Sequence, residues 1–145
     1  MEPDPLRLDV QAFLEKATKD FLTAERMAQE PGDFRDVVCF HAQQRAEKAL
    51  KAVLIATNVE PSRTHDLERL LEELPISVPV STQLALDCSL LTDFGVAPRY
   101  PGWEPVSGII EIDEVLAAAR RSLEWALRAS EDSRGAVEAP ERVRS

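Results

Sequence analysis

His41, Gln44, Arg45 and Lys48 stand three, four and seven residues apart in FHAQQRAEKALKAVL, residues 40–54. On a helix that spacing sets them along one stripe, opposite Ala42, Ala49 and Val53. An imidazole, an amide, a guanidinium and an ammonium together form a set of donors suited to a phosphate, a base or a partner helix. The plainer alternative is a solvated helix face. Glu47 and Lys51 would then be one supporting i,i+4 pair, contributing roughly 0.2–0.5 kcal/mol.

Two further places carry residues of the same kind. His65 lies in the turn EPSRTHDL (60–67), and Arg99 and Tyr100 lie in PRYPGWEP (98–105). An arginine beside aromatic rings can stack on a base and hold a phosphate. The structural alternative is a rigid Pro/Gly loop whose Tyr100 and Trp103 cap the core. Arg35 and His41 supply the phosphate-neutralising and proton-transfer groups of a metal-independent ribonuclease. Six positions apart on one helix, however, they point about 240° apart.

Other chemistries are poorly provided for. His41 and His65 are the only histidines, and Cys39 and His41 would project about 200° apart, so no zinc set is visible. No metal and no cofactor is expected. There is no GxSxG elbow, and five glycines leave little room for a phosphate-cradling loop. Catalytic residues are accordingly none on this reading. The formal charge of −9 opposes broad DNA binding, which runs on clustered lysine and arginine. Two cysteines without CxxC spacing read as free buried thiols in a reducing cytoplasm. The longest apolar runs, such as AVLIA (52–56), are too short to span a bilayer.

The elements that must position these groups are helical. Val10, Phe13, Leu14, Ala17, Phe21, Ala24 and Ala28 mark a first helix over about 8–28, ended by Pro31 and Gly32. Asp33 is the expected cap of a second helix with the stripe Val38, Ala42, Ala46, Ala49, Leu50, Val53 and Leu54. Asn58 closes it. Thr64 is the expected N-cap of a short third helix through Leu67, Leu70, Leu71 and Leu74. A fourth, about 82–94, is apolar almost all round and is therefore placed in the centre of the bundle. A long irregular connection (95–108) leads to a last helix over about 111–129. Off its stripe, Trp125 is a candidate dimer contact. The predicted fold is all-α: an antiparallel up-and-down bundle of four main helices plus a short one. Residues 1–130 form one domain, and 131–145 a mobile tail.

FHAQQRAEKALKAVL, RTHDLERLLEEL (63–74), APRYPG (97–102) and FLEKATKDFLTAERMA (13–28) together resemble the HEPN domain family. The first is similar to its H-x-x-x-Q-A-A-E-K helix, with Arg45 in place of a small residue. The second resembles its T-H-x-L turn, and the third its R-Y-P loop. The resemblance implies a helical bundle, commonly a homodimer, often partnered by a minimal nucleotidyltransferase and sometimes part of a toxin–antitoxin system. Several branches are ribonucleases with an Arg, four to six residues, then a His, late in the chain. Here Arg99 is followed by no histidine, so a binding module is the leading expectation and a metal-independent endoribonuclease the alternative. A purely structural dimerisation domain is the third reading. The expected nucleotide- or RNA-binding set is His41, Gln44, Arg45, Lys48, His65, Arg99 and Tyr100.

Overall fold

The computed structural model describes residues 5–95 and 111–138, with side chains from 9 to 95 and from 111 to 132. Its five α-helices are α1 (Pro5–Gln29), α2 (Arg35–Ala56), α3 (Leu67–Glu73), α4 (Thr82–Leu91) and α5 (Ile112–Glu138), with a 3-10 turn at Thr92–Phe94. The loop expected at 95–108 lies, apart from Gly95, outside the described residues. No described helix is long and apolar enough to cross a membrane.

The helix boundaries follow local chemistry with three instructive differences. Phe34, not Asp33, is the residue at the N-cap of α2, and it makes no side-chain cap bond. Asp33 acts one position earlier, accepting from the Arg35 backbone N–H and Nε, both at 3.2 Å. At α3 the cap is Asp66, whose carboxylate accepts from the Glu68 and Arg69 N–H groups. The Thr64 hydroxyl instead accepts from Asp66 N–H at 3.0 Å, so it shapes the turn that delivers the cap. Both are short polar side chains next to several orphan donors, and the turn geometry decides which donor each reaches. Finally, α5 runs on to Glu138, beyond Ala129. Once a helix is nucleated each added residue gains a bond for one pair of dihedrals, and a single glycine costs only about 1 kcal/mol.

The end of α2 matches expectation. Asn58 takes φ of +65°, and the N–H groups of Asn58 and Val59 reach the carbonyls of Ile55 and Leu54. That is a Schellman closure, with asparagine tolerated in the left-handed region.

Placing α4 at the centre is corrected. Its Leu86 is 60% exposed, and the helix packs mainly on α5 and α3 and less on α2. The central element is α2, which contacts α1, α3, α4 and α5. Every α2 residue from Val37 to Ala56 is at least half-buried. Its alanines explain how: Ala42, Ala46, Ala49 and Ala52 are fully buried, as are Ala17 and Ala24 on α1 and Ala118, Ala119 and Ala126 on α5, and such small side chains let the helices approach closely. Leu50, Leu54, Leu67, Leu70, Leu91, Phe94 and Val115 fill the main core, each large aliphatic burial stabilising by about 2 kcal/mol. A smaller cluster joins Val53, Val78 and Ala126 under Trp125. Cys39 and Cys88 are both free and buried. Burial pushes each thiol up to about 12, so neither is a reactive nucleophile.

Candidate functional site

Because α2 is surrounded, its polar residues cannot simply point into water. They are met by groups from α1 on one flank and from the turn before α3 on the other. On the α1 side, Asp20 is the meeting point: His41 Nδ1 lies 2.9 Å from its Oδ1, and Lys48 Nζ bonds its Oδ2. On the other side, Glu47 gathers three donors. His65 Nδ1 lies 2.6 Å from its Oε1, Gln43 Nε2 at 3.3 Å, and Lys51 Nζ reaches Oε2 at 3.1 Å. Gln43 also donates to the His65 carbonyl at 2.8 Å and accepts from Gln44 Nε2 at 2.9 Å. Glu47 is thus a buried carboxylate whose lone pairs are used by its neighbours, as burial requires.

Each histidine therefore has one ring nitrogen engaged by a carboxylate. A carboxylate that accepts from the ring sets Nδ1 as the donor and leaves Nε2 as the nitrogen these carboxylates do not use. His65 keeps 47% of its side chain exposed and His41 28%. His65 opens onto a groove of about 620 Å³ that it shares with Thr92, Asp66, Glu68 and Asp93. Those three carboxylates repel phosphate, which makes the Lys48 flank of α2 the better anion contact.

The expected set divides as follows. His41 and Lys48 come together at Asp20, and Gln44 joins the Gln43–Glu47–His65 group. Arg45 is drawn inward, away from the stripe's open side. It is 1% exposed, with its Cζ 4.0 Å above the Phe21 ring. Arg99 and Tyr100 lie outside the described residues. Arg35 pairs with Asp33 and His41 with Asp20, so that spacing coincidence brings no shared site. Trp125, expected off the stripe, packs on both core clusters and donates to the Pro79 carbonyl at 3.1 Å.

Sequence reasoning missed the acceptors. Asp20 does carry a signal, since it falls between Ala17 and Ala24 on the buried stripe of α1. A carboxylate at such a position needs a partner. In the sequence Gly95 marks only the start of a loop. A Cβ there would sit 2.9 Å from Gln43 Nε2 and 3.1 Å from His65 Cβ, so any larger residue forces Gln43 to shift. Gly95→Ala is expected to push Gln43 off the His65 carbonyl and cost about 1–2 kcal/mol. Urea unfolding measures this, and an unchanged midpoint would show that Gln43 relaxes freely.

Comparison with known proteins agrees with this architecture. Residues 10–131 match the model of the HEPN domain. The crystal structure of TT1696 from Thermus thermophilus is similar at a TM-score of 0.71 and 28% identity, over 83% of this chain and 97% of that one. ST0689, described as an archaeal HEPN homologue, has the same fold at a TM-score of 0.65 and 24% identity, with the same 83% and 97% coverage. No curated protein matches the chain.

Proposed function

This chain belongs to the HEPN domain family, and on that premise we propose that it is a binding module rather than an enzyme. It acts as a homodimer beside a nucleotidyltransferase partner and contacts nucleotide or RNA, in a setting that can include a toxin–antitoxin pair. One observation supports this reading above others. The half-buried residues of α2 that its neighbours leave partly open include Val37, His41, Gln44, Lys48, Lys51 and Ile55, spaced four and three residues apart along the helix, with Phe40 and Ala56 beside them. Such a seam presents donors at its middle and apolar contacts at its ends, which suits a second helix or a phosphate-bearing ligand. Arg99 and Tyr100 complete the proposed contact set with His65.

Isothermal titration with ATP, GTP and short RNAs, alone and with the partner, tests the ligand half. Lys48→Ala is expected to weaken binding about tenfold, the loss of one charge-assisted contact. No heat with any of these ligands sinks that half, and a monomer at micromolar concentration in the analytical ultracentrifuge sinks the dimer.

The two histidine–carboxylate pairs give a specific reason to keep a second reading, a metal-independent endoribonuclease using His41 or His65 with Arg99. An Nδ1-anchored imidazole is the arrangement of a general base. It requires RNA cleavage in EDTA that is lost in Arg99→Ala, and a dimer that cleaves nothing removes it.

A further inference from the structure

Between His41 and Ile55, α2 is left partly open only at His41, Gln44, Lys48, Lys51 and Ile55, and Val37 continues the series one turn earlier. Alternating steps of three and four residues trace the narrow seam of a coiled coil, a strip that one neighbouring helix covers. Each lysine in it already has a carboxylate, Lys48 with Asp20 and Lys51 with Glu47. Covering the seam therefore buries no uncompensated cation. What each polar group has left over decides what can cover it. Gln44 spends its amide nitrogen on Gln43 Oε1 at 2.9 Å, and its own carbonyl is an acceptor. Lys48 gives one donor to Asp20 and Lys51 one to Glu47, while an ammonium has three. His41 uses Nδ1 toward Asp20 and keeps Nε2, which accepts in a neutral ring.

We infer that a second copy of this chain closes the seam, its α2 running antiparallel to the first across a two-fold axis that passes between Gln44 and Lys48. Residues equally far from that axis then face each other. Val37 meets Ile55 of the partner subunit, an apolar contact at each end. Gln44 meets the partner's Lys48 and His41 meets the partner's Lys51, so each spare acceptor faces a spare donor, twice over by symmetry. A parallel pairing would instead set Lys48 and Lys51 against their own copies, like charge on like, and align the helix dipoles. A phosphate alone would leave the apolar ends of the seam uncovered. The inference rests on the homodimer and open seam proposed above and supplies their register. It also makes the contact at His41 composite, because the lysine beside its Nε2 comes from the other chain.

Cysteine cross-linking of the full chain with a short bismaleimide tests the register. The double variant Val37→Cys/Ile55→Cys is expected to give a covalent dimer, while either single variant stays uncoupled. Within one chain the two positions lie about 27 Å apart along the helix, too far for the linker to join. The wild type, whose Cys39 and Cys88 are buried, is the blank. A dimer from Val37→Cys alone or Ile55→Cys alone overturns the antiparallel register. Sedimentation of the wild type separates this inference from the reading beneath it. A stable dimer in which the double variant does not cross-link overturns the seam and leaves the homodimer standing, whereas a monomer removes both. Ile55→Asp is expected to weaken the dimer about tenfold, since it sets an unpaired carboxylate against the partner's Val37. Far-UV circular dichroism of that variant checks that it folds, and an unchanged dissociation constant in a folded variant overturns the seam.

Discussion

Arg45→Met is expected to stabilise the protein by about 1–3 kcal/mol at pH 7, against the usual direction of a core substitution. The guanidinium is 1% exposed, and two of its donors lack acceptors among the described residues. A buried unsatisfied polar group costs about 1–3 kcal/mol, and more when charged. Stacking on Phe21 returns about 2 kcal/mol in a desolvated site, less than the cost of a buried charge left without acceptors. Methionine has similar reach, fills the same channel and keeps a favourable contact with the ring. The pH dependence carries the diagnosis. Burial is the largest influence and pushes the Arg45 guanidinium down from its ordinary value to about 9, while Glu25 and Glu124 pull it up. For a base whose value falls on folding, the unfolded chain binds more protons between those two values, so stability rises with pH through that window. Below pH 9 the full penalty stands. The gap between the variant and the wild type is therefore widest at pH 7 and narrows as pH rises past about 9. Chemical denaturation of both proteins from pH 7 to pH 10 measures this, and a variant less stable than wild type at pH 7 refutes it.

The opposite result is expected at the α4–α5 contact. Arg121→Ala should cost about 2–4 kcal/mol, because it strands a carboxylate rather than a surface charge. Asp87 is 3% exposed, and Arg121 holds it with two parallel bonds of 2.8 Å, Nε to Oδ2 and Nη2 to Oδ1. The same contact pushes the Arg121 guanidinium above its ordinary value. Gln83 Nε2, at 3.0 Å, is the only other side-chain donor to Asp87 among the described residues. Arg121 itself is nearly half exposed, so the expected loss sits below that for a fully buried pair. Arg121→Lys should recover less than half of the loss, since an ammonium cannot match the fork of a carboxylate. Urea midpoints for both variants decide it, and a full recovery by lysine would show that charge alone matters.

Much of the fold is legible in the sequence because its signals are local. Apolar residues at three- and four-residue spacing mark α1, α2 and α5, and Asn58 marks the end of α2. Cap positions slip by one or two residues. Asp33 and Thr64 can each reach more than one orphan donor, and only the turn's dihedrals choose among them. The place of α4 is misjudged for a related reason. Leu84, Cys88 and Leu91 are buried and Leu86 is not, but a helix rich in leucine carries no statement of which side has a neighbour.

The site divides along the same line. Residue type and spacing determined that His41, Gln44 and Lys48 share a stripe of α2 and that Glu47 and Lys51 pair one turn apart, while resemblance of four motifs pointed to the HEPN family. Tertiary structure alone decided that the stripe is wedged between other elements. It brought Asp20 to His41 and Lys48 across 21 and 28 residues, and His65 to Glu47 across 18. It also turned Arg45 out of the donor stripe and under Phe21. Helix formation is written in neighbours a few positions apart. The burial of a charge and the identity of its partner depend on how whole helices pack, and no local pattern carries that information.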